Sequence, residues 1–113
     1  MLEIKPIQSK TEQERLCGLC GVAYDADALA YSAHESGVFL GICQFRITGD
    51  EVRVYTIREA PGRRDLEALI LLGRAALSFA EQCGVKSAEL LDVAEDVAAA
   101  CGGSGKCQVA SDK

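Results

Sequence analysis

The chain of 113 residues has one histidine, one C-x-x-C pair and no cluster of lysine and arginine large enough to dominate a surface. It also has no uninterrupted apolar stretch long enough to span a bilayer. Each shortage excludes something. Nothing around His34 suggests a Ser-His-Asp or Cys-His nucleophile system, and its place beside Glu35-Ser36-Gly37 reads as a hairpin turn open to solvent. Cys17-Gly18-Leu19-Cys20 has no second C-x-x-C to complete a zinc site, and Cys101 and Cys107 are the only thiols placed to supply one, so no metal is expected. The formal net charge is −5, which disfavours nucleic acid as a partner because phosphate contacts need clustered cations. Met1-Leu2-Glu3-Ile4-Lys5-Pro6 lacks the apolar core of a secretory signal. The expectation is a cytoplasmic protein with no membrane contact and with reduced thiols.

The composition, 49% hydrophobic and 26% charged, is that of a globular protein, and its residue classes are mixed along the chain rather than segregated. The length suits a single domain over residues 1–113 with one principal site. The acidic excess is concentrated between Glu81 and Asp96, where five carboxylates face only Lys86. The local counterweight is Arg58, Arg63 and Arg64 around Pro61-Gly62, opposed by Glu59 and Asp65. That cluster suits a small phosphorylated ligand, and the alternative is a solvated loop.

Leu2, Ile4 and Pro6 alternate with Glu3 and Lys5, a short strand ended by proline. Thr11-Glu12-Gln13-Glu14, with Ser9 or Thr11 as acceptor, starts a helix that runs to about Cys20 and stops at Gly21. Residues 28–33 form a weaker strand. Residues 38–47 form the strongest, with Phe39, Gly41, Cys43, Phe45 and Ile47 on one face and Gln44 and Arg46 on the other. Residues 51–59, rich in β-branched side chains, complete an antiparallel meander. Asp65 caps a long helix whose apolar positions run from Leu66 to Ala80, closed by Gly84. A strand at 88–91 and an alanine-rich helix at 93–101 follow. Residues 102–113 are expected to be flexible or to form one short strand near 108–110. The expected class is α+β, in the order β-α-β-β-β-α-β-α.

The stretch Phe39-Leu40-Gly41-Ile42-Cys43-Gln44-Phe45 and the run Gly73-Arg74-Ala75-Ala76-Leu77-Ser78-Phe79-Ala80 into Cys83-Gly84-Val85 give this order a resemblance to the GNAT superfamily of acyl-CoA-dependent transferases. The likeness covers roughly residues 2–101 and implies a mixed sheet with a central meander, C-terminal strands here being short or missing. It implies acetyl-CoA or another acyl-CoA as ligand, with the pyrophosphate of coenzyme A on a Gln/Arg-x-x-Gly-x-Gly/Ala loop at the start of the long helix. Counted back from Gly84-Val85, that loop begins at Arg64, and its two small positions fall on Glu67 and Leu69. Only the arginine is retained. Glycine serves there because a phosphate needs bare backbone, and Glu67 adds a like charge beside it.

On this resemblance Arg58, Gly62, Arg63 and Arg64 are the expected cofactor-binding residues, Glu59 the base, and Tyr55 on the same strand face a second catalytic candidate. No tyrosine follows Tyr55 in the usual position of the acid. Three readings follow: an acyl-CoA-dependent N-acyltransferase; a non-catalytic binding or assembly module of the same fold, for which the small-residue helix favours a homodimer; and a cysteine-based metal protein. The C-x-x-C sits at the C-terminal end of its helix, where the dipole disfavours a thiolate, so packing thiols compete with any redox role.

Overall fold

The computed structural model describes residues 1–102. Along them run β1 (Leu2–Pro6), α1 (Lys10–Cys20), β2 (Leu29–Glu35), β3 (Val38–Thr48), β4 (Glu51–Glu59), α2 (Leu66–Gln82), β5 (Ser87–Val93) and α3 (Glu95–Gly102). This is the expected α+β order. The strands lie side by side as β1-β2-β3-β4-β5, antiparallel through β4, with β5 added parallel to β4. A parallel neighbour needs a long return connection, and α2 provides it. The short strand expected near 108–110, and Cys107, lie outside the described residues. No helix among the described residues is long and apolar enough to cross a membrane.

The helix ends follow local chemistry. The Ser9 hydroxyl accepts from Glu12 N at 3.2 Å, and Gly21 ends α1 at φ 71°. Asp65 caps α2 by accepting from Ala68 N at 3.1 Å. Ser36 (φ 53°) and Gly37 (φ 82°) form a two-residue turn with both central φ values positive, a geometry matched to the twist of a β-hairpin.

That turn corrects one expectation: His34 lies within β2, opposite Glu3 of β1, and the chain reverses only after Glu35. His34 Nε2 bonds the buried Ser32 Oγ at 2.8 Å, and its ring is tilted against Phe39. A second correction concerns Phe39. The β2–β3 register passes from Ala33↔Gly41 to His34↔Phe39, which leaves Leu40 as an extra residue. A bulge breaks the period-two alternation, so Phe39 packs with Leu16, Cys17 and Ile42 beneath α1, while Leu40, Cys43 and Phe45 join the larger core under α2.

The larger core holds Leu69, Leu72 and Ala76 of α2 against Phe45, Val52, Val54 and Ile57 of the sheet, with Val97 and Cys101 of α3 alongside. Each fully buried large side chain contributes roughly 1.5–3 kcal/mol. Close approach depends on Gly73, where an added Cβ would collide with Cys101 Sγ and stand 3.0 Å from Ile57 Cδ1.

The α1 face is held differently. Gln13 and Gln44 are 0% and 1% exposed. Gln44 Oε1 accepts from Gln13 Nε2 at 2.9 Å and from Asp25 N at 3.2 Å, while Gln44 Nε2 donates to Ala23 O at 2.8 Å. Gln13 Nε2 also donates to Asp25 O at 3.1 Å, and Lys10 Nζ reaches both Gln13 Oε1 and Ala28 O. Among the described residues no buried side-chain nitrogen or oxygen lacks a partner.

Gln44→Leu removes the partner of the buried Gln13 amide and of the part-buried Asp25 N and Ala23 O, and is expected to cost roughly 1–3 kcal/mol in urea unfolding. In a double-mutant cycle with Gln13→Leu the two losses should sum to more than the double variant's loss. Strict additivity would show that the two amides do not cooperate.

Candidate functional site

The end of α1 and the β4–α2 connection face one another across a surface pocket of about 550 Å³. Residues 18–21 form one wall and residues 58–64 the other. The connection is ordered by short-range bonds. Ala60 N continues the β3–β4 pairing to Leu40 O at 2.9 Å. Arg63 N then donates to Ala60 O at 3.1 Å around Pro61 and Gly62, the latter at φ 72°. Proline followed by a glycine with positive φ is the pattern of a type II turn. The facing wall is tied to this loop by the Cys20 thiol, which donates to Arg58 O at 3.9 Å.

Glu59, Arg58, Gly62, Arg63 and Arg64 all line this pocket. Tyr55 does not: the β3–β4 register passes from Phe45↔Val54 to Gln44↔Thr56, making Tyr55 the extra residue of a bulge. The alternation that would set it on the face of Glu59 is interrupted there.

The three arginines differ in what they hold. Arg58 Nη2 donates to Asp92 Oδ2 at 2.7 Å. Arg64 Nη2 donates to Asp96 Oδ2 at 2.6 Å, with Glu59 Oε1 at 4.0 Å from Nη1. Arg63 has no side-chain hydrogen bond or ion pair among the described residues and is exposed. The bond from Arg64 holds the Asp96 carboxyl below the usual carboxylate range, so this pair is intact at neutral pH and fails only as pH falls through that lowered value.

Nothing local in the sequence marks Asp92 and Asp96 as partners of the arginines. They sit in the acidic run that composition presents as solvated surface, and only the parallel pairing of β5 with β4 brings them to the arginines. The start of α2 is likewise occupied, because the Asp65 carboxylate already accepts from Ala68 N. Glu67 is exposed in the first turn and Leu69 is buried at 1%, so no glycine cradle is present. The cationic groups that line this pocket are side-chain guanidinium groups rather than bare backbone.

The environment of the α1 thiols disfavours the thiolate. Burial pushes the Cys17 thiol up, and burial followed by the charge of Cys17 pushes Cys20 up to about 11. No group of three His, Cys, Asp or Glu side chains among the described residues could hold a metal ion. Burial and then Lys5 lower the pKa of His34.

Architecturally, the described residues define a GNAT fold. The chain superposes on a ribosomal-protein-alanine N-acetyltransferase from Brucella melitensis biovar Abortus with a TM-score of 0.65 at 15% identity, covering 84% of this chain and 82% of that one. A GNAT family acetyltransferase from Brucella melitensis in complex with acetyl-CoA gives 0.64 at 19% identity, over 84% and 78% of the two chains. The PaiA N-acetyltransferase from Thermoplasma acidophilum in complex with coenzyme A gives 0.61 at 13%, over 75% of each. No family model and no curated protein matches the sequence. At these identities the likeness establishes the fold alone.

Iodoacetamide at about pH 8 is expected to label the exposed Cys83 in the native protein and to reach Cys17, Cys20 and Cys43 only after unfolding. Native labelling of Cys20, followed by mass spectrometry, should accelerate only as pH approaches about 11. Rapid labelling at neutral pH would overturn the view of Cys17 and Cys20 as packing thiols.

Proposed function

We propose that this chain is an acyl-CoA-dependent N-acyltransferase of the GNAT type, and that the pocket between α1 and the β4–α2 connection is its donor site. One observation carries the reading: three arginines and a half-buried carboxylate meet at the beginning of the long helix, in a fold whose solved examples include complexes with coenzyme A and acetyl-CoA. Arg63, with Arg58 and Arg64, would hold the phosphate groups in charge-assisted bonds, and Gly62 lets the turn lie flat beneath them. When bound, the acyl-CoA supplies an activated thioester. Glu59, at the last position of β4 and on the pocket wall, is placed to take a proton from an attacking amine.

A second reading is favoured by the occupied start of α2. With Asp65 capping it and Glu67 in its first turn, the helix presents carboxylates where a pyrophosphate would approach. On that reading the chain is a non-catalytic module of the same fold. The assembly it implies is a homodimer, whose two copies would meet along the outer edge of β5, where Leu91 is 48% exposed and no described strand pairs.

Calorimetric titration of the reduced protein with acetyl-CoA decides between them. The donor-site reading expects micromolar binding, lost by at least about tenfold in Arg63→Ala/Arg64→Ala. No heat at millimolar ligand would sink it. If binding is present, Glu59→Gln should lower kcat by roughly a hundredfold with little change in KM for the donor. An unchanged kcat would remove Glu59 from the role of base.

A further inference from the structure

We infer that Asp92 and Asp96 are specificity-determining residues of the pocket: they act as resident counter-anions that a ligand's phosphates must displace from Arg58 and Arg64. The inference rests on the donor-site reading and concerns side chains that lie outside the pocket wall itself.

Geometry sets the two carboxylates in place. Thr56 pairs with Asp92 across the parallel β4–β5 ladder, and Arg58 lies two residues beyond Thr56, on the same face of β4. Pairing ends at Ile57↔Val93, so the Arg58–Asp92 bond crosses the seam just where the backbone ladder stops. Asp96 is held separately. It lies in the first turn of α3, where the helix dipole favours an acid, and its Oδ1 accepts from Val97 N at 2.8 Å while Oδ2 takes the Arg64 bond. Both carboxylates thus come from the single β5–α3 segment, which neutralises two of the three guanidinium groups lining the pocket.

The consequence is a charge balance. The pocket's Arg58, Arg63 and Arg64 face Glu59, Asp92 and Asp96, and Asp65 occupies the helix start, so of these three arginines Arg63 alone has no ion-pair partner among the described residues. A neutral ligand can use only the N–H donors that the carboxylates leave free. A pyrophosphate, taken over its two phosphoryl groups, carries more charge than a single carboxylate and presents more acceptor oxygens, so it can exchange into either pair. Both resident pairs are solvent-exposed, with Arg58 and Asp92 at 37% and 63% and Arg64 and Asp96 at 45% and 53%. Exposed pairs add little to folding, so they can open without unfolding the chain.

The test is a titration of coenzyme A into the full chain, the Asp92→Asn and Asp96→Asn variants, their combination, and Asp96→Glu as the charge-conserving control. Each asparagine should tighten binding by roughly tenfold, the combination by more, and the gain should shrink as salt is raised. Asp96→Glu should bind as the parent does. Equal affinity in the parent and the doubly substituted chain, or weaker binding in the latter, overturns the counter-anion role while leaving the donor site standing. No binding to any of them at millimolar coenzyme A overturns the donor site and the inference together. Thermal melts that match across the set show that affinity differences do not come from loss of fold.

Discussion

The structure depends on one buried polar contact, the amide pair of Gln13 and Gln44. An amide placed in the middle of the central strand and facing an apolar layer costs free energy unless every donor and acceptor finds a partner. Gln44 finds them in one place only, on α1 and the segment around Ala23 and Asp25. The apolar contact beneath α1 is small, with Leu16, Cys17 and Ile42 as its fully buried members. Dispersion would accept a range of helix positions there. Directional bonds accept one, and they thereby set where α1 ends.

The position of that end matters because it is a wall of the pocket. The left-handed Gly21 stops α1 beside the β4–α2 connection, and Cys20 touches the Arg58 carbonyl across the gap. The opposite wall is set by the core under α2, through the Pro61-Gly62 turn and the Asp65 cap. Two independently anchored elements therefore define the cavity, one held by hydrogen bonds and one by packing. Its electrostatics come from a third, the β5–α3 segment, which places Asp92 and Asp96 against the arginines. A chain of net charge −5 thus keeps a cationic loop whose charges are largely answered from within.

Most of the fold was legible in the sequence because its signals are local. Ser9, Gly21, Asp65 and Gly84 mark helix ends through bonds to their near neighbours, and the β-branched run of 51–59 marks a strand through its own side chains. The errors fall where alternation is broken. Leu40 and Tyr55 are extra residues in their strands, and a bulge leaves no mark in composition, so strict alternation assigns Phe39 and Tyr55 the wrong phase. The polar neighbours of His34 resemble a turn, whereas the reversal needs only Ser36 and Gly37.

By itself the sequence determined the elements, their order, the arginine-rich turn and the absence of a glycine cradle at the start of the long helix. These follow from residue chemistry acting over a few positions. Only the tertiary structure decided that residues 18–21 share a pocket with residues 58–64, and that the carboxylates of 92 and 96 reach Arg58 and Arg64. Those contacts join segments more than thirty residues apart. Such partners are chosen by strand register and by the crossover of α2, and neither is written in any local stretch of the chain.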